Sequence, residues 1–129
     1  MAKISRFEDI EAWQESRALT KAIYAVTRGQ LFARDRGLTE QLQRASVSVM
    51  TNIVEGFDSG STAEFIRFLG YSRRSASEIQ SHLYVARDQD YLDNGNFTSL
   101  YEQAEKVRRM VTSFMGYLKA VRDGRSATR

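Results

Sequence analysis

The apolar residues in the last part of the chain recur at intervals that alternate between four and three. The repeat comprises Leu100, Ala104, Val107, Val111, Phe114, Leu118 and Val121. This spacing places every member on one side of an α-helix. Three earlier segments show the same spacing less regularly, and no strand-like alternation of useful length occurs. The chain is therefore constrained to bury apolar helix stripes against one another.

Capping and turn signals divide the chain into four predicted helices, over residues 7–29, 35–57, 61–91 and 96–122. The runs Ser5–Glu8 and Ser61–Glu64 fit the capping box, whose side chains satisfy the free amides at a helix start. Glycines are expected to mark helix ends. They are Gly29, Gly37, Gly56, Gly60, Gly95 and Gly124.

Short connections between long helices make successive helices antiparallel. The predicted fold is therefore all-α, an up-down-up-down antiparallel four-helix bundle. A chain of 129 residues suits one domain, and we assign that domain to residues 1–122. The polar, basic tail over residues 123–129 is expected to be disordered.

The second predicted helix carries small and polar residues where a core helix is normally apolar. Asn52 shares a seam with Leu38 and Ala45, and a lone Asn in such a seam usually fixes register or partner choice. Polar residues also flank the stripe of the third predicted helix. We therefore predict a buried hydrogen-bonded network that specifies packing. Its members are Arg44, Ser48, Asn52, Glu55, Ser75 and Glu78.

Motifs for catalysis or metal binding are missing from the sequence. His82 is the only histidine and Cys is absent, which excludes thiolate metal sites and the paired Glu-x-x-His motifs of di-iron bundles. The segment from Gly56 to Thr62 lacks the Lys and the preceding strand of a phosphate-binding loop. A hydrolase using Glu55 and Glu78 would need an open pocket and separated pKa values. We expect no enzymatic activity, metal or cofactor.

The sequence also bears on location. No apolar run approaches the ~20 residues of a membrane span, and the first residues lack the apolar segment of a signal peptide. The absence of Cys fits a reducing compartment. We therefore expect a cytoplasmic protein without membrane contact.

Arginine dominates the positive charge: 15 of the 19 basic residues are Arg, and the formal net charge is +3. Its rigid fork suits phosphate and carboxylate groups. A solvated surface with intrahelical ion pairs is one interpretation, and a nucleic-acid footprint is the other. The candidate phosphate-binding residues are Arg67, Arg73, Arg74, Lys106, Arg108, Arg109 and Arg122.

Two predicted helices carry apolar residues outside their main stripe. These are Ile10, Trp13 and Tyr24 on the first helix and Phe68, Tyr71 and Val85 on the third. One stripe cannot bury them all, which indicates a subunit interface and a homo-oligomer. The same flanks support an alternative function, a protein–protein interaction scaffold with no nucleic-acid role.

Three blocks of the sequence carry a family resemblance. They are Phe7-Glu-Asp-Ile-Glu-Ala-Trp13-Gln14, Gln41-Leu-Gln-Arg44-Ala45-Ser-Val-Ser48-Val-Met-Thr-Asn52-Ile-Val-Glu55-Gly56 and Phe65-Ile-Arg-Phe68-Leu69-Gly-Tyr-Ser-Arg-Arg-Ser75-Ala-Ser-Glu78. With them, residues 7–119 resemble the four-helix-bundle family first known from proteins encoded in intervening sequences of 23S rRNA genes. Members often carry Pro in the loop after the first helix, and this chain has none.

The resemblance implies an assembly without enzymatic activity. Family members are similar to the accessory variability determinant proteins of diversity-generating retroelements, which are barrel-like pentamers that bind nucleic acid and a reverse transcriptase. It therefore implies a homopentamer, with RNA or DNA and a reverse transcriptase or another protein as partners. Our leading interpretation is a bundle that binds RNA or DNA through Arg–phosphate contacts with little sequence readout.

Overall fold

The computed structural model describes residues 4–124, which form five α-helices and one 3-10 turn. The turn is Phe7–Asp9, and the helices are α1 (Glu11–Thr27), α2 (Gln30–Arg34), α3 (Arg36–Asp58), α4 (Thr62–Asp88) and α5 (Asn94–Arg122). Residues 4–124 contain no β-strand, which confirms the prediction of an all-α fold. The second, third and fourth predicted helices correspond to α3, α4 and α5. Most of the predicted tail, residues 125–129, lies outside the described residues.

Each long helix contacts two of the other three. Helix α1 lies against α3 and α5, and α4 lies against the same two helices. The hydroxyl groups of Ser48 and Ser75 lie 3.0 Å apart, and Gly56 meets Phe65 further along. Residues later in α3 thus face residues earlier in α4, so these two helices are antiparallel. The contacts between α4 and α5 show the same reversal.

The core lies between the four long helices. Its fully buried large side chains include Leu19, Ile23, Leu42, Val49, Ile53, Leu69, Ile79, Leu83, Val107 and Val111. On α5 the predicted stripe is buried as far as Phe114, whereas Leu118 is half-buried and Val121 is 46% exposed. The apolar stripe of α5 extends beyond the core because α1, which packs beside α5, begins only at Glu11 and does not cover the last residues of the stripe.

The start of the first helix differs from the prediction. Residues 7–9 form a 3-10 turn, and α1 begins at Glu11 after Ile10, whose backbone is extended (φ −77°, ψ 117°). Ile10 is 2% exposed, and its anchorage in the core keeps the chain out of helical geometry at this point. The predicted capping box at Ser5–Glu8 is therefore wrong. The backbone amide of Ser5 instead donates a hydrogen bond to Oδ2 of Asp9.

The connection after α1 contains the short helix α2, so the described chain has five helices where four were predicted. Phe32 on α2 is 1% exposed, and its ring lies 5.2 Å from the ring of Tyr91 in the α4–α5 connection. The hydroxyl of Tyr91 donates to Oδ2 of Asp35 (3.1 Å). Because so short a helix is unstable alone, these contacts hold α2 in place.

The predicted helix caps and helix ends are confirmed in part. The hydroxyl of Ser61 accepts a hydrogen bond from the amide of Glu64. Gly60 adopts φ +75°, which favours glycine at this turn. Gly56, by contrast, lies inside α3, where a Cβ would be 2.7 Å from Cδ1 of Phe65. This glycine does not end a helix; it allows α3 and α4 to approach closely.

Candidate nucleic-acid interface

The hairpin of α4 and α5 separates its charges along its length. Residues 66–77 and 106–122 contain eight Arg or Lys and no Asp or Glu, whereas residues 78–105 contain six Asp or Glu and one Arg. Because α4 and α5 are antiparallel, the two basic stretches lie side by side. We call these two stretches the basic end of the hairpin and residues 78–105 its acidic end. A surface with charges of one sign concentrates counter-ions and charged ligands.

On α4, the basic end presents Arg67, Arg73 and Arg74. Nη1 of Arg67 donates to the hydroxyl of Tyr71 (2.7 Å), and Nη2 donates to Glu64 (2.6 Å). The hydrogen bond from Arg67 lowers the pKa of Glu64. Arg74 is exposed, with its guanidinium 5.8 Å from the ring centre of Tyr71. Arg73 is half-buried and forms no hydrogen bond or ion pair with another described residue, so its charge is available.

On α5, Arg108 crosses the seam to α4. Its Nε donates to the hydroxyl of Ser77 (3.0 Å) and its Nη1 to Glu105 (3.2 Å). The guanidinium of Arg109, which is exposed, lies 3.8 Å from the same carboxylate. A hydrogen bond from Gln80, followed by the charge of Arg108, lowers the pKa of Glu105. Glu105 therefore marks the boundary between the two ends.

Two of the seven candidate residues lie away from this seam. Lys106 faces α1, with Nζ 3.6 Å from a carboxylate oxygen of Glu15. Arg122, the last residue of α5, donates to Asp123 (3.1 Å). Lys119 was left out of the predicted set, although it is exposed and forms no ion pair with another described residue. A search for stretches of one charge sign would have identified it.

The predicted packing network forms only in part. The hydroxyl groups of Ser48 and Ser75 lie 3.0 Å apart, and Nδ2 of Asn52 donates to the carbonyl and hydroxyl oxygens of Ser48. All three residues are half-buried, between α3 and α4. Arg44 and Glu55 are exposed and form no hydrogen bond or ion pair with another described residue. The structure therefore does not bring them into the network.

Glu78 contacts a neighbour on its own helix rather than the network. Its Oε2 lies 3.5 Å from Nε2 of His82. That nitrogen is buried and has no hydrogen-bond partner among the described residues. Within residues 4–124, no group of three His, Asp or Glu side chains is placed to hold a metal ion. The contact between Glu78 and His82 is thus local to α4.

The apolar flanks predicted to form a subunit interface are divided between the core and the surface. Ile10 belongs to the core, and Trp13 is half-buried with its ring edge-on to the 3-10 turn. Phe68 and Tyr71 meet edge-on, with ring centres 5.8 Å apart. Val85 remains 44% exposed. The expectation was wrong at Ile10 because it assumed a helix from residue 7.

The fold and the three sequence blocks together define the class of this protein. A model of the 23S rRNA-intervening sequence protein family matches residues 8–113. The chain therefore belongs to that family, which confirms the resemblance seen in the sequence.

A solved structure is also similar to this chain. It is the crystal structure of a protein with unknown function from the S23 ribosomal protein family of Bacteroides thetaiotaomicron. The TM-score is 0.73 at 18% identity, covering 81% of this chain and 97% of that one. At this identity the likeness shows the fold alone. No curated protein matches the chain. No helix within residues 4–124 is long and apolar enough to cross a membrane.

Proposed function

We propose that this protein is a cytoplasmic, non-enzymatic four-helix bundle that forms a homo-oligomer and binds RNA or DNA through Arg–phosphate contacts. The basic end of the hairpin carries this proposal, since eight cations and no carboxylates occur in its two neighbouring stretches. The predicted relation to nucleic-acid-binding pentamers supports the same function.

The chemistry of these side chains suits phosphate. The guanidinium fork matches two phosphate oxygens at once. The ion pairs at the edges of this surface, with Glu64 and Glu105, join groups that are partly exposed. A phosphate can therefore replace the carboxylate at modest cost. Such contacts release counter-ions from nucleic acid and carry no sequence information. In a homo-oligomer the basic end is repeated, which strengthens the field around it.

Binding of the purified protein to structured RNA and to duplex DNA across a salt series tests this function. We expect the logarithm of the association constant to fall linearly with the logarithm of salt concentration. Arg73→Ala with Arg74→Ala, or Arg108→Ala with Arg109→Ala, should weaken binding roughly tenfold at low salt. Each pair should also make the slope shallower by about 1 to 2.

The matched control is Arg34→Ala with Arg36→Ala. This variant also removes two positive charges, but from the two residues beside Asp35. Asp35 accepts a hydrogen bond from Tyr91 in the α4–α5 connection, at the acidic end. Binding should change little. Equal weakening by the control and test variants would show that only net charge matters. If the wild-type protein fails to bind even at low salt, the proposed function is rejected and the scaffold alternative is favoured.

We also propose that the outer face of α3 and α4 joins subunits into a pentamer. Arg44 and Glu55 lie one turn before Ser48 and one turn after Asn52, and both are exposed. They carry opposite charges and have no partner among the described residues, so a second copy can pair them. Arg44→Glu should lower the mass measured by sedimentation, and adding Glu55→Arg should restore it. A monomeric wild type would contradict this proposal.

A further inference from the structure

Two glycines lie inside α4 and α5, away from the helix ends, where the backbone does not require them. Gly70 and Gly116 both have the negative φ of an ordinary helix. A Cβ on Gly116 would meet nothing within 4 Å, and one on Gly70 would meet only Cε of Met115, at 3.9 Å. Alanine would fit at both positions and would favour the helix. Packing within residues 4–124 therefore gives no reason for either glycine.

Both glycines lie at the basic end, on the two sides of the seam between α4 and α5. Because Gly70 is opposite Met115, the two glycines lie at the same level of the hairpin. Residues three or four apart are neighbours on a helix surface. The basic residues one or two turns from these glycines are Arg67, Arg73, Arg74, Arg109 and Lys119. Charged side chains thus surround two positions that carry no side chain of their own, with Met115 buried beside Gly70.

We propose that this seam seats one sugar–phosphate backbone of a nucleic-acid duplex, with Gly70 and Gly116 as its floor. This inference rests on the proposed function and adds the form of the ligand and its position. A strand lying against the glycines comes close enough for Arg73 on α4 and Arg109 on α5 to reach its phosphates from both sides. Any side chain on the floor would hold the strand away from them.

The surroundings of the seam favour a paired strand over unpaired bases. Proteins that bind single strands stack bases on exposed aromatic rings, and Gly70 and Gly116 leave the floor without one. The ring of Tyr71 is already approached by Arg67 and Arg74, whose guanidinium groups lie 5.4 and 5.8 Å from its centre. A duplex also carries more phosphate charge per length of its axis than a single strand, which favours it at a row of basic side chains.

Titrations with a short RNA duplex, its DNA counterpart and one unpaired strand test this inference. Gly116→Leu should weaken binding to both duplexes roughly tenfold, comparable to the loss of phosphate contacts, because Leu fits the fold but fills the floor. Gly70→Ala with Gly116→Ala should raise the melting temperature by about 3–8 °C and still weaken duplex binding. Greater stability with lower affinity is the signature of a contact surface rather than a folding defect.

The control is Gly37→Leu, in the first turn of α3, where a Cβ would meet only Oδ1 of Asp35, at 3.9 Å. It should leave binding unchanged. If Gly116→Leu binds duplex like wild type while Arg73→Ala with Arg74→Ala binds more weakly, the position proposed for the strand is wrong and the proposed function stands. Tighter binding of the unpaired strand than of the duplex, or a changed oligomer mass in Gly116→Leu, would also overturn the inference.

Discussion

Glycine has three different roles in this chain, and each depends on the local surroundings of one residue. Gly60 adopts a left-handed backbone at a turn. Gly56 allows two helices to touch, and Gly116 faces open space. The same substitution therefore has opposite effects at different positions.

Gly56→Ala should destabilise the protein by about 1–3 kcal/mol, since the new Cβ overpacks the contact with α4. The added atom would lie 2.7 Å from Cδ1 and 3.2 Å from the carbonyl oxygen of Phe65. Urea unfolding measures the free-energy change. Gly116→Ala is the matched control and should stabilise by up to about 1 kcal/mol. Equal effects at the two positions would contradict this account of Gly56.

Glu105 should make stability depend on pH. Its folded pKa is lowered by Gln80 and Arg108, so its stabilisation is present above its unfolded pKa of about 4.5 and is lost as pH falls through the folded value. Glu105→Gln should cost less than about 1 kcal/mol at neutral pH, because the group is near the surface. The midpoints of thermal unfolding of the two proteins should converge as pH falls through the lowered, folded pKa of Glu105. A difference that persists in acid would exclude this cause.

At the scale of elements, α2 shows why a short segment escapes sequence patterns. Five residues cannot display an apolar repeat, so nothing in the sequence distinguishes a loop from a helix there. The deciding contact is between Phe32 and Tyr91, which are far apart in the sequence. The position of α2 is therefore a tertiary property.

Phe32→Ala should destabilise the protein by about 3–5 kcal/mol, because it empties a site that is 1% exposed. Denaturant unfolding gives the value. Phe32→Leu keeps most of the buried volume and should cost less than about 1.5 kcal/mol. If both variants are as stable as wild type, α2 is not anchored by this side chain.

At the scale of the whole molecule, Asn52 lies between α3 and α4, next to the face that we propose joins the subunits. It bonds to Ser48, which in turn meets Ser75 across the α3–α4 contact. Asn52→Leu should preserve helix content but change the oligomer state or the uniqueness of packing. Circular dichroism and sedimentation measure the two properties. An unchanged oligomer with raised stability would show that Asn52 determines neither the oligomer state nor the packing.

The sequence by itself determined the all-α class, the approximate spans of the long helices, most of the core stripes and the family. Apolar spacing and caps such as that at Ser61 act over a few residues, so they can be recognised without knowing what lies opposite. The candidate arginines were also recognisable, because residue type and charge are properties of the sequence. Which of them lie at the contact between α4 and α5 was not.

Only the tertiary structure decided which distant surfaces meet. It placed Ile10 in the core, and it left Arg44 and Glu55 outside the polar network. It also set the basic stretches over residues 66–77 and 106–122 side by side. Each outcome depends on contacts between residues far apart in the chain, and local sequence patterns carry no information about such pairings.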